Sequence, residues 1–116
     1  MTRIVCHITT GHDVFDTRVF RRECRSLAQA GYRVYLVAPH TREETVDGVR
    51  ILPIPVPTSR LARRVAWPLM AARRALATGA DLYHFHDPEL IPAMQWLARR
   101  TAMPVVWDAH EVFYQT

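Results

Sequence analysis

The segment Asp81 to Leu90, DLYHFHDPEL, sets two histidines one residue apart and follows them with Asp-Pro-Glu. In an extended strand that spacing turns both imidazoles to one face. Imidazoles beside a carboxylate can ligate a metal, move a proton, or be no more than polar core. Two further polar groups stand out: HDVFD, with His12, Asp13 and Asp16, and DAHE, with His110 and Glu111. A metal-dependent hydrolase using His84 and His86 would need Asp87, His110 or His12 to complete its shell. A central strand would hold His84 in the core rather than at a rim, so no metal is expected. His7 and His84, both inside apolar runs, read as core histidines.

The elements that must position these groups follow from the hydrophobic pattern. Ile4 to Ile8 is a short apolar run broken at Thr9-Thr10-Gly11, as a buried parallel strand would be. Asp16 or Thr17 can cap a helix reaching Ala30, with Gly31 placed to end it. Tyr32 to Ala38 is a second strand, stopped by Pro39. His40 to Asp47 reads as a loop, and Asp47-Gly48 as a turn ahead of a third strand from Val49 to about Ile54. A second helix runs from Ser59 to Thr78, kinked or split at Pro68, with Leu61, Val65, Leu69, Ala72 and Leu76 forming its apolar face. Leu82 to Phe85, Pro88 to Arg100 and Met103 to Ala109 give a fourth strand, a third helix and a fifth strand. This alternation predicts an α/β fold: a Rossmann-like open parallel sheet of about five strands with helices on both faces.

In such sheets ligands bind beyond the carboxyl ends of the strands. The loops after strands one, two, four and five gather His12, His40, His86 and His110 at that end, together with Asp13, Asp16, Asp87, Glu89 and Glu111. A nicotinamide dinucleotide does not suit these loops. The first has one glycine in place of GxGxxG, and strand two ends without an acid for a ribose hydroxyl. Carboxylates at the first helix would also repel a pyrophosphate.

The 116 residues suit one domain able to fold on its apolar core alone. Cys6 and Cys24 lack metal or redox spacing and read as buried thiols in a reducing cytosol. No window approaches the roughly 20 apolar residues of a spanning helix, so the expected location is cytoplasmic. All fifteen basic residues are arginine, and Val49 to Ala80 contains no acid. Arg60, Arg63, Arg64, Arg73 and Arg74 therefore make the second helix basic and suited to peripheral contact with an anionic membrane. No aromatic platform accompanies the charge, which argues against nucleic acid.

The order HDVFDTRVFRRECRSLAQAGYRVYLVAP, GVRILPIPVP, ADLYHFHDPELIPA and PVVWDAHE resembles, across nearly the whole chain, the N-terminal domain of family 4 glycosyltransferases of the GT-B architecture. The resemblance implies a retaining transfer from a nucleotide diphosphate sugar to a glycan or lipid-linked acceptor, with no metal or other cofactor. It makes the chain the acceptor-side half. The nucleotide-sugar-binding domain has no counterpart here, so the isolated chain is expected to be inactive. Carried over by position, His110 is the catalytic candidate near the donor sugar; His86, Asp87 and Glu89 border the sugar pocket. His12, Asp13, Asp16 and Arg18 fall at first-loop positions near the acceptor, although this loop lacks the Gly-Gly pair of many relatives. Asp87 before Pro88 would serve equally as a helix cap. The competing reading is a non-catalytic binding or assembly module on the same fold.

Overall fold

The computed structural model describes residues 3–10, 17–55 and 59–107, with the side chains of 17–19, 21 and 63 outside that description. Six strands form one sheet in the order β3-β4-β2-β1-β5-β6. They are β1 (Ile4–Ile8), β2 (Arg33–Pro39), β3 (Glu44–Val46), β4 (Val49–Ile54), β5 (Leu82–Phe85) and β6 (Val105–Trp107). Every pairing is parallel except β3 with β4. Without β3, the order is that of the first five strands of a Rossmann fold, and it reverses direction between β1 and β5.

The sequence pattern does not anticipate β3. Asp47 and Gly48 both have positive φ, 51° and 82°. Two left-handed residues in succession match the twist of a two-residue hairpin, so a strand must precede the turn as well as follow it. The polar Glu44 masks that strand. Gly48 could not become alanine without strain, both for its φ and because an added Cβ would lie 3.3 Å from the Ala28 Cβ.

Three helical segments cover the sheet. α1 begins as a wide π-type segment, Thr17–Cys24, and continues as an α-helix over Arg25–Gln29; α2 likewise runs through Ala62–Ala66 into Trp67–Leu76. α3 opens with a 3-10 turn at Pro88–Leu90 and continues over Ile91–Thr101. Pro68 marks the change of helical winding in α2, standing in the first turn of its α-helical part where its missing N–H costs nothing.

The apolar face expected for α2 is corrected by the structure. Leu61 is 74% exposed, Val65 62% exposed, and Leu69 is also exposed. Ala72 is buried and Leu76 packs against the core, as expected, but their companions are Trp67, Ala71 and Ala75. Alanines let the helix axis approach the sheet and α3 closely, an arrangement that a pattern weighted by side-chain size misses.

Two cores result. On one face Cys6, Ile8, Tyr83 and Phe85 pack with Trp67, Ala71, Leu90, Met94 and Leu97 from α2 and α3. On the other Val34, Leu36, Val49 and Ile51 pack under Phe20 and Cys24 of α1.

Candidate functional site

Parallel register aligns Ile51, Leu36, His7, His84 and Val106 across the sheet. The row begins as buried aliphatic core, changes to imidazole at β1 and β5, and ends at Val106, which is 45% exposed. His86 lies two residues beyond His84 and shares its face.

The three rings cluster with centroids 4.7 to 5.5 Å apart, His86 stacked on both His7 and His84 at 15° and 21°, and His7 tilted by 36° from His84. His7 Nδ1 lies 3.2 Å from His86 Nε2, a hydrogen bond in which one ring donates and the other accepts. Burial above all, then the neighbouring His84 and His86, holds His7 well below the usual imidazole range, so it is neutral at pH 7. Its Nε2 has no hydrogen-bond partner among the described residues. Glu23 of α1 faces the stack, with Oε1 4.0 Å from His84 Nδ1 and Oε2 3.8 Å from His86 Nε2.

At the rim the end of β1 is tied to the start of α3. The Thr9 hydroxyl and the Thr10 amide each donate to Asp87 Oδ2 at 2.7 Å, and the Thr10 hydroxyl donates to Glu89 Oε1 at 2.5 Å. Asp87 is 6% exposed. It occupies the N-cap position of α3 but makes no side-chain capping bond there; its carboxylate holds the neighbouring strand instead. Glu89 is exposed.

These contacts sort the residues singled out from the sequence. His86, Asp87 and Glu89 come together at the switch point between β1 and β5. His40 sits beyond β2 and pairs with Glu44, His40 Nε2 lying 2.5 Å from Oε2. Arg18 lies on the π-type segment of α1, its side chain outside the description. His12, Asp13, Asp16, His110 and Glu111 lie outside the described residues. Trp107 is aligned with Phe85, so β6 leaves the sheet toward the rim that carries His86. Sequence reasoning missed Thr9, Thr10 and Glu23, and took His7 for ordinary core. The threonines stand at the carboxyl end of a predicted strand, which was signal enough. Glu23 gave none.

A hollow lies elsewhere, between α3 and β6, lined by Phe85, Ile91, Met94, Val105 and Trp107. It is apolar and holds none of the rim's polar groups.

In a doubly wound sheet ligands bind beyond the carboxyl ends of the strands at the switch point, and here hydroxyls, carboxylates and imidazole gather at that place. The glycosyltransferase family 4 model matches residues 17–116, and the chain belongs to that family. Its general function is that of a glycosyltransferase domain. A search of curated proteins found no match.

Proposed function

We propose that this chain forms the acceptor-side part of a retaining glycosyltransferase that moves a sugar from a nucleotide diphosphate donor to a glycan or lipid-linked acceptor. A nucleotide-sugar-binding domain, in the same or a separate chain, completes the enzyme. The observation that carries this reading is the group Thr9, Thr10, Asp87 and Glu89 at the switch point.

Asp87 and His86 are buried and act as positioning residues, fixing the ends of β1 and β5 relative to each other. The exposed carboxylate of Glu89 is the group that can accept from a sugar hydroxyl. His110, at the family's matching position, hydrogen-bonds the donor sugar or offers its carbonyl to the anomeric centre as positive charge develops there. Because donor and acceptor must be held together, this chain alone gives no turnover.

The side of α2 turned to solvent supports contact with an anionic bilayer. Leu61, Val65, Leu69 and Met70 are exposed there, among Arg60, Arg64 and Arg73, which are also exposed. Arg74 is held 3.6 Å from Glu43, and the Arg63 side chain lies outside the description. No helix of the described residues is long and apolar enough to cross a membrane.

A coupled nucleotide-release assay tests the reading. The chain alone should match the blank, and the chain joined to a nucleotide-sugar-binding domain should release nucleotide only with acceptor present. His110→Ala should lower that rate about 100-fold. Robust turnover by the isolated chain, or an undiminished rate in His110→Ala, overturns it.

A further inference from the structure

We propose that His7, His84 and His86, with Glu23, form a binding site for one borderline transition-metal ion such as Zn²⁺, placed beneath the rim and joining β1, β5 and α1. The site does not rest on the sugar-transfer reading, and its ion takes no part in that chemistry.

The donors come from remote parts of the chain, brought together by the His7–His84 register pairing and by α1 crossing above it. One nitrogen from each imidazole lies within 4.8 Å of the others. Bonds of about 2.1 Å place the nitrogens of a tetrahedral zinc site about 3.4 Å apart. His7 Nδ1 and His86 Nε2 already stand at 3.2 Å. His84 is the ring that must turn, and it has room to do so, its side chain being 20% exposed where His86 is 3%. Glu23 supplies the carboxylate, within 4.0 Å of both His84 and His86. Three imidazoles and one carboxylate form a nitrogen-rich set suited to zinc or cobalt, and poorly suited to magnesium or calcium, which take oxygen shells.

A second observation points the same way. His7 is 1% exposed in a row that Ile51 and Leu36 begin as aliphatic core. Burying an imidazole is costly where an aliphatic side chain would continue that row. An ion held through His7 Nδ1 gives the histidine a purpose that packing does not. Because the donors sit on two strands and a helix, the ion would act as a structural clasp whose binding free energy adds to folding.

The test uses the 116-residue chain after chelator treatment. Titration with Co²⁺ should give one ion per chain with the intense visible bands of a four-coordinate centre, and Zn²⁺ should displace it and raise the melting temperature. His84→Ala and His86→Ala should each weaken binding 100-fold or more, and Glu23→Gln about 10-fold. His40→Ala, which removes the separate His40–Glu44 pair, should change nothing. Imidazole nitrogen NMR of the unsubstituted chain with Zn²⁺ should show shifts at His7, His84 and His86, a readout independent of whether any variant folds. Absence of cobalt bands, binding that survives both His84→Ala and His86→Ala, binding that follows His40, or shifts at other histidines overturns the proposal.

Discussion

The two faces of the sheet are built to different rules. Under α2 and α3 the packing is apolar from β4 across to β5, with Ile54, Val37, Ile8 and Phe85 all buried. Under α1 the aliphatic packing extends from β4 through β2 and then yields at β1 to the imidazoles of His7, His84 and His86. Adjacent strands thus carry hydrocarbon on one side and polar donors on the other. One side supplies cohesion, and the other accepts a stability penalty to hold polar chemistry beside the rim.

The largest test of this contrast is Leu97→Ala. Leu97 is fully buried on the apolar face, and truncation should cost about 2–5 kcal/mol by the cavity it leaves. Chemical denaturation measures it, and a loss under 1 kcal/mol would show that this face is not the cohesive one. Next comes Asp87→Ala, which leaves the Thr9 hydroxyl and the Thr10 amide without their acceptor and should cost about 1–3 kcal/mol. Asp87→Asn keeps an acceptor oxygen and should recover part of that. Equal losses in the two variants would mean that the charge, not the hydrogen bonds, holds the rim.

The smallest effect sharpens the apolar side through pH. Burial pushes the Cys6 thiol up to about 12, against an opposing hydrogen bond to Thr78. A thiol with a raised folded pKa contributes stability that is complete below its unfolded value of 9.0 and is lost as pH climbs toward 12. At pH 10 the loss should be on the order of 1 kcal/mol. Wild type should therefore fall more steeply between pH 8 and 10 than Cys6→Ala, by denaturation at each pH. Parallel slopes would show that the thiolate meets no such barrier.

The difference between the faces also decides what the sequence revealed. The parallel strands were legible because Ile4 to Ile8 and Leu82 to Phe85 are short apolar runs ended by polar rim residues, and the Asp47-Gly48 turn was legible from residue type. The buried side of α2 was not. Beyond Ala72, its contact is made by Trp67, Ala71 and Ala75, and the alanines, whose small size suits a close approach to the sheet, give a weak hydrophobic signal. His7 looked like core because, taken alone, it is core. Its meeting with His84 depends on β1 lying beside β5, a product of strand order that local spacing does not encode. Glu23 belongs to a helix surface rich in charge, and only the docking of α1 over the histidines distinguishes it from its neighbours.

One modest element constrains what can be joined to this molecule. The three-residue β3 runs against its neighbour and carries Glu44, whose carboxylate is engaged by His40 and Arg42. It closes its margin to further parallel partners with a short, charged, reversed strand. At the opposite margin β6 is parallel, aliphatic and aromatic, with Val106 and Trp107 exposed. Among the described residues, an additional parallel strand is directed to β6, away from the hairpin.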